Sequence, residues 1–418
     1  MYRIAILSFI LILLDSYVYK GIYLLISNKP NSWRYFIIIS YWLVSLLLIF
    51  QLVTIFTHLD EFRIDRPESF RFWSGVFFVV FFSKLAFIAF HVMDDIYWIF
   101  RKITTFFISN PQNIEGTPIT RSTFITQLGL VVSAFFLSSF TYGVVKGRYA
   151  FQILTEKIKF PNLPKAFNGF RIVQISDLHL GSFVNDFEDI IPAIKMINDL
   201  KPDLIVFTGD MVNIHADEAE PWVAIFSKLE ASYGKYSIFG NHDYCDYGTY
   251  STQEKEKSIK RLKEIHHEMG FTLLEDEHTF VEKDNQKFAL LGMHNWGKDF
   301  HRVGDLNKTM KGLSDDFFKI LLSHDPSLWE EEVKNQKNID LTLSGHTHGM
   351  QMGVEIPSLN LKWSPVKWRY QHWAGLYNVG KNYIYINRGF GFLGYPGRVG
   401  IKPEITLIEL ESESLDDA

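Results

Sequence analysis

Two histidines one residue apart close the stretch Leu341-Thr342-Leu343-Ser344-Gly345-His346-Thr347-His348, directly after residues that read as a buried strand. Side chains at i and i+2 project from the same face of an extended chain, so both imidazoles can converge if the strand ends near Gly345. That is metal-ligand geometry, although an isolated His-x-His also fits a solvated turn. The pattern recurs along the chain. Asp177 and His179 follow Ile172–Ile175, Asp210 follows Leu204–Phe207, Asn241, His242 and Asp243 follow Tyr236–Phe239, and His324 follows Ile320–Leu322. Ligands of layered α/β sheets gather beyond the carboxyl ends of the strands, so five such strand ends point at one crevice.

Carboxylates, imidazoles and one amide oxygen, with no usable thiolate, suit Mn²⁺, Fe or Zn²⁺ rather than a structural zinc site. The set is too large for one ion. With Asp210 central enough to bridge, it fits two divalent ions about 3.5–4 Å apart, an arrangement used for in-line displacement at phosphorus.

Positioning these residues requires strands that alternate with helices. Short apolar runs predict strands over Arg171–Ser176, Leu204–Thr208, Tyr236–Phe239, Ala289–Met293, Lys319–Ser323, Leu341–Ser344, Tyr383–Asn387 and Glu404–Glu409. Asp186–Leu200, Glu220–Leu229 and Thr252–Met269 carry helical periodicity. The alternation implies an α/β layered domain over residues 166–411, entered by a linker at 151–165 and followed by an acidic tail at 412–418.

Hydrophobic residues make up 47% and aromatic residues 16% of the 418, an excess concentrated in residues 1–150. Four runs, about 4–26, 36–56, 72–92 and 124–145, are long enough to span a hydrocarbon core of about 30 Å, and Trp33, Tyr35, Trp73, Tyr97 and Trp98 sit where interfacial belts fall. A multi-pass integral membrane protein follows, with the lipid bilayer as a partner. Asp15 and Lys84 lie near the middle of their spans, where an unpaired charge is expensive, and are expected to pair. The side of the membrane stays open. Eight Lys and Arg against five lean toward a cytoplasmic C-terminal domain, while Thr120-Arg121-Ser122-Thr123-Phe124-Ile125 is faintly like an export signal lacking one of its twin arginines. A net charge of −5 with no basic stripe gives nucleic acid no purchase, and Cys245, the single cysteine, has no disulfide partner in the chain.

Asp177-x-His179, Gly209-Asp210, Gly240-Asn241-His242-Asp243, His324 and Gly345-His346-Thr347-His348, in that order, resemble the calcineurin-like metallophosphoesterases. The likeness covers about Phe167 to Leu410. Asn387-Arg388-Gly389-Phe390-Gly391 through Pro403-Glu404-Ile405-Thr406-Leu407 further resembles the membrane-associated bacterial branch of YkuE-type and YaeI-type phosphoesterases. The resemblance implies an αββα two-sheet sandwich behind the four spans. It implies that Asp177, His179, Asp210 and His348 hold one ion and Asp210, Asn241, His324 and His346 the other, with a metal-bridging hydroxide as nucleophile. His242 resembles the histidine that protonates the leaving oxygen or steadies phosphoryl charge, with Asp243 orienting it. The implied activity is hydrolysis of phosphodiester or pyrophosphate bonds, diesters before monoesters, in a lipid-linked or cell-envelope substrate at a bacterial cell membrane. A UDP-2,3-diacylglucosamine-type lipid pyrophosphatase is the alternative. A catalytically silent membrane scaffold is disfavoured because every ligand is in place.

Three positions depart from the family pattern: Asn213 stands where many relatives carry Asp, Met350 replaces a glycine, and Gly292-Met293-His294-Asn295-Trp296 lacks an expected acidic residue. His294, which follows a strand, is a candidate substrate contact. So are Lys367 and Arg369, which lie in a segment where Trp363, Trp368 and Trp373 recur at five-residue intervals. That segment reads either as a surface hairpin or as a flap that meets phosphate oxygens and a lipid interface. His215, His266, His267, His278, His301 and His372 fall outside the strand-end pattern and are expected at the surface or in packing.

Overall fold

The structure, a computed structural model, describes residues 2–107, 121–335 and 338–413. The chain divides into two compact units, Met1–Val144 and Val145–Ala418.

The first unit is helical: α1 (Tyr2–Ile26), α2 (Asn31–Thr57), the short α3 (Leu59–Ile64), α4 (Pro67–Phe107) and α5 (Arg121–Val145). All but α3 are long and apolar enough to cross a membrane, matching the four expected runs. Where no water reaches the backbone, only a helix satisfies its N–H and C=O groups from within. The outward side chains are apolar; Phe36, Ile39, Leu43 and Phe50 of α2 are each exposed. The interior carries a charged pair. Lys84 Nζ of α4 lies 2.5 Å from Asp15 Oδ1 of α1 and 3.0 Å from Ser45 Oγ of α2, so the expected pair forms across three helices. Tyr41 donates to the Asp15 carbonyl at 2.9 Å. Near the end of α4, Asp95 meets Lys20 at 3.0 Å and Asp94 meets Arg121 at 3.0 Å.

Removing one partner of the buried pair strands a charge in the bilayer, at a cost of about 3 kcal/mol. Asp15→Ala and Lys84→Ala are each expected to lower the yield of folded, detergent-extracted protein. The exchange Asp15→Lys with Lys84→Asp restores it, and size-exclusion recovery of the four proteins checks this; an exchange no better than the singles refutes the pairing role.

The second unit holds β1 (Gln152–Phe160), β2 (Phe170–Ile175), β3 (Leu204–Phe207), β4 (Lys235–Ser237) and β5 (Thr272–Leu273). Next come β6 (Glu277–Lys283), β7 (Gln286–Gly292), β8 (Lys319–Leu322) and β9 (Leu341–Ser344). Last are β10 (Val354–Ile356), β11 (Leu361–Trp363), β12 (Gly375–Val379), β13 (Asn382–Ile386) and β14 (Glu404–Ser412). One six-stranded sheet runs β1-β14-β2-β3-β4-β5, the other β12-β13-β9-β8-β7-β6, and β10 pairs with β11 alone. In the centres of both sheets β2, β3 and β4, and β7, β8, β9 and β13, are parallel, so their carboxyl ends share a direction within each sheet.

Period-two alternation sorts the strand residues into layers. Phe170, Ile172, Leu204 and Val206 face Phe288, Leu290, Ile320, Leu322, Leu341 and Leu343 between the sheets. The alternate residues Val173, Ile175, Ile205 and Phe207 pack on helices α6 (Leu180–Phe183), α7 (Phe187–Asp199), α8 (Val223–Phe226) and α9 (Thr252–Glu268). Leu291, Leu321, Ile384 and Ile386 of the other sheet pack under Trp329, Val333 and Leu306, the last on α10 (Leu306–Thr309). The unit is thus an αββα sandwich. Strands buried on both faces read as continuous apolar runs, which is why they were visible in the sequence.

Two expectations are corrected. Residues 151–165 are not a linker: β1 pairs in parallel with β14 from Gln152↔Glu404 to Phe160↔Ser412. Its exposed edge carries Thr155, Lys157 and Lys159, and that polar side disguised it. Glu220–Leu229 is not one helix: a 3₁₀ turn at Glu220–Trp222 leads into a single α turn at Val223–Phe226. Within the expected acidic tail β14 continues to Ser412, and 414–418 lie outside the described residues.

His266 of α9 is fully buried against Phe207 and Phe239, with Nδ1 2.8 Å from Ser237 Oγ. Burial pushes its pKa down to about 3. The unfolded chain therefore takes the proton first, and the stability held above about pH 6.5 is lost as pH falls toward 3. His266→Phe should flatten the fall of Tm between pH 7 and 5 relative to the natural chain, as scanned by calorimetry; equal slopes refute this.

Candidate metal centre

The loops after β2, β3, β4, β8 and β9 meet at one place. Five of the seven candidate ligands have left-handed backbones: Asp177 at φ 53°, His179 at 46°, Asp210 at 61°, His346 at 69° and His348 at 50°. Such residues are held there only when the surroundings over-determine them, and they cluster at functional sites. Two glycines let carboxylates touch backbone. A Cβ on Gly345 would lie 2.3 Å from Asp177 Oδ2, and one on Gly240 would lie 2.2 Å from Asp210 Oδ1.

Asp177, His179 and His348 offer ligand atoms within 4.8 Å of one another, and so do Asp210, His324 and His346. His179 Nε2 lies 3.1 Å from His348 Nε2 and 3.6 Å from Asp210 Oδ2, and His348 Nε2 lies 3.2 Å from Asp177 Oδ1. On the other side, His324 Nε2 lies 3.0 Å from Asp210 Oδ2 and 3.3 Å from His346 Nδ1. Asp210 thus faces ligand atoms of both groups, and with His179 and His242 it makes a third set within 4.8 Å.

The protons on these rings are set from outside. His324 Nδ1 donates to the Thr208 carbonyl at 2.7 Å, and His179 Nδ1 donates to Asn213 Oδ1 at 3.1 Å. Each ring therefore turns Nε2 toward the Asp210 carboxylate, an arrangement that a proton or a cation between them satisfies. His346 Nε2 lies 2.9 Å from the Tyr370 hydroxyl, which donates to Asp325 Oδ2 at 3.3 Å, leaving Nδ1 for the cluster. Asn241 spends its Nδ2 on Tyr247 at 2.8 Å, and its buried Oδ1 has no hydrogen-bond partner among the described residues. A buried unpartnered oxygen in the loop after β4, together with these imidazoles and carboxylates, fits divalent cations.

The electrostatics agree. Burial opposes ionisation of Asp177, yet His348 beside it holds the carboxyl below the usual range. Burial likewise opposes ionisation of Asp210, and His324 and His242 outweigh it. Burial would lower His324, but Asp210 and Asp177 raise it to about 10; a cation does the work of that proton. Burial and the His348 charge push His179 well down.

His242 Nδ1 donates to the Asn213 carbonyl at 2.7 Å, its ring stacks 4.1 Å from Tyr247, and its N–H holds Asp210 Oδ1 at 2.8 Å. The expectation that Asp243 orients His242 is therefore corrected. Asp243 instead accepts the N–H groups of Gly240 at 2.8 Å, Asp210 at 2.9 Å and Met211 at 2.8 Å, clamping the loops after β3 and β4 together. Burial and the Asp210 charge push its carboxyl up to about 7, against the pull of those donors.

The candidate substrate contacts are placed differently. His294 Nδ1 lies 2.9 Å from Tyr244 OH and its Nε2 3.6 Å from Glu275. Arg369 is exposed, pairs with Asp299 at 2.9 Å and covers Phe300, while Lys367 is exposed. Reading the sequence missed Asp325, Tyr370, Tyr247 and Arg398. Asp325 directly follows a ligand and was open to notice. Arg398, buried, donates to the Gly389 and Gly391 carbonyls and reaches His348 Nδ1 at 3.4 Å, from fifty residues away.

Strand ends that deliver Asp, His and Asn to clusters sharing one carboxylate, on an αββα sandwich, define a calcineurin-like phosphoesterase. The chain belongs to that family: residues 170–350 match the calcineurin-like phosphoesterase domain, and residues 2–148 match a domain described as a probable calcineurin-like phosphoesterase transmembrane domain. Its relatives include the uncharacterized metallophosphoesterase YkuE of Bacillus subtilis, 36% identical over 261 residues, which are 61% of this chain and 84% of YkuE. Phosphodiesterase YaeI of Escherichia coli is 30% identical over 58% of this chain and 82% of its own. An uncharacterized metallophosphoesterase of Campylobacter jejuni is 25% identical over 98% of this chain and 99% of its own.

Asn213→Ala keeps every candidate ligand but frees His179 Nδ1 and removes the acceptor that fixes its tautomer. Divalent-metal affinity, measured by competition with a chromogenic chelator, should fall about 10–100-fold; unchanged affinity refutes this role.

Proposed function

We propose that the chain is a membrane-anchored phosphoesterase of a bacterial cell membrane that hydrolyses phosphodiester or pyrophosphate bonds in membrane-derived or envelope material. Asp177, His179, Asp210 and His348 would hold one divalent cation, and Asp210, Asn241, His324 and His346 a second. The observation that carries this reading is the Asp210 carboxylate, which forms one cluster with His324 and His346 and another with His179 and His242, together with a buried Asn241 oxygen that has no hydrogen-bond partner among the described residues. Bound there, divalent cations supply Lewis-acid stabilisation of phosphoryl charge and acidify water toward neutral pH.

The chain's own residues do the rest. Asp177 and Asp210 stay ionised at neutral pH because neighbouring imidazoles outweigh burial. His242, fixed through Nδ1 on the Asn213 carbonyl and flattened against Tyr247, keeps Nε2 as the atom that holds or gives a proton to a leaving oxygen. Preference for diesters is supported by the phosphodiesterase name of the relative YaeI, a membrane by the match of residues 2–148 to a transmembrane domain, and a bacterial cell by the organisms of YkuE and the near full-length Campylobacter jejuni relative.

The full chain in detergent, loaded with Mn²⁺ or Zn²⁺, is expected to cleave bis(p-nitrophenyl) phosphate faster than p-nitrophenyl phosphate, and a chelator to abolish both. His242→Ala should keep its metal, by plasma mass spectrometry, while kcat falls about 10²–10⁴-fold. Asp210→Asn should lose metal and activity together. A folded, metal-loaded chain that leaves the diester intact overturns the reading.

A further inference from the structure

The β10–β11 ribbon is built inside out. It belongs to neither six-stranded sheet, and its register pairs Val354 with Trp363, Glu355 with Lys362 and Ile356 with Leu361. Residues two apart share a face, so one face carries Val354, Ile356, Leu361 and Trp363 and the other Glu355 and Lys362. A ribbon on a soluble surface turns its polar face to water. Here the polar face turns to the protein. Glu355 meets the buried Arg388 at 2.5 Å, and Arg388 meets the buried Glu404 at 2.6 Å. Lys362 donates to the Ala374 carbonyl and lies 5.0 Å from the Trp373 ring centre. Breaking that buried network is costly, and a one-residue slip would flip every side chain, so the outward apolar face is specified by the fold.

The outward face continues beyond the strands. Leu359 at the tip is 70% exposed and Trp368, in the turn after β11, is 83% exposed. The Trp368 ring meets Trp363 edge-on at 6.0 Å, and the exposed Lys367 flanks it. An aliphatic tip with tryptophans and a cation at its rim has the composition of a segment that enters the headgroup layer of a bilayer. The same chain supplies that bilayer. Its last membrane-length helix ends at Val145 and β1 begins at Gln152, so a membrane is present at high effective concentration without any second protein.

We propose that the β10–β11 ribbon and the Trp368 turn form an interfacial membrane contact of the catalytic unit, separate from the four spans, that seats Leu359 and Trp368 among phospholipid headgroups. Two residues after Trp368, Tyr370 hydrogen-bonds His346, so the same segment reaches the candidate metal centre.

The test uses the full chain, one copy per nanodisc of phosphatidylethanolamine and phosphatidylglycerol. Cys245, which is buried, is replaced by Ser, and a polarity-sensitive fluorophore is placed at Leu359→Cys, at Trp368→Cys, or at Lys195→Cys on exposed α7 as control. Labels at 359 and 368 should emit at shorter wavelength, and lipids spin-labelled near the headgroup should quench them about two-fold or more beyond the control. Quenching equal to the control overturns the proposal. So does a blue-shifted label that spin-labelled lipid fails to quench, since protein rather than lipid then covers the ribbon. Because the readout is fluorescence, loss of diester hydrolysis would sink the proposed activity and leave this result standing.

Discussion

Two imidazole rings, each with its Nδ1–H committed to an acceptor on the far side, turn Nε2 toward one buried carboxylate. His324 is turned by the Thr208 carbonyl and His179 by the Asn213 amide oxygen, and both face Asp210. Without a proton or a cation between them, such lone pairs repel a carboxylate in a low-dielectric interior. The catalytic unit is organised around holding that arrangement in place. Left-handed backbones at five ligands, glycines that let Asp177 and Asp210 press on main chain, and the Asp243 clamp all add rigidity where the chain would otherwise relax. The sandwich supplies the stiffness by burying β3, β8 and β9, three of the strands that end at the site, on both faces.

The chain solves the same problem with opposite signs in its two units. In the helical unit apolar side chains point outward and the charged pair Asp15–Lys84 lies inside with Ser45 and Tyr41 as partners. In the sandwich apolar residues fill the interior, and buried ionisable groups include the candidate ligands and networks such as Glu355–Arg388–Glu404. Each burial follows from the solvent outside, since a polar group without water needs a partner. The β10–β11 ribbon follows the first rule while attached to a unit that otherwise follows the second.

Much of this was legible in the residues. The central strands announced themselves because burial on both faces demands continuous apolar runs, and the candidate ligands because each sits at the end of such a run. The edge elements did not. β1 is amphipathic with a charged outer face, and β10, β11 and β12 are short and irregular in pattern, so pairing that is non-local leaves little local trace. Asp243 shows the same limit at the level of one residue: its neighbour in sequence is His242, but its carboxylate serves the backbone of a loop thirty residues earlier.

The sequence by itself determined the chemistry available: four apolar runs of membrane length, seven oxygen and nitrogen donors at strand ends, and the charges Asp15 and Lys84. Those depend on residue type and local periodicity, which a single chain records directly. Only the tertiary structure decided which ring nitrogen of each histidine faces the cluster, that Asn213 rather than Asp243 fixes His242, that Tyr370 and Arg398 stand behind His346 and His348, and that the ribbon turns its apolar face outward. Each of these is a contact between segments distant in the chain, set by how the two sheets and their loops close on one another.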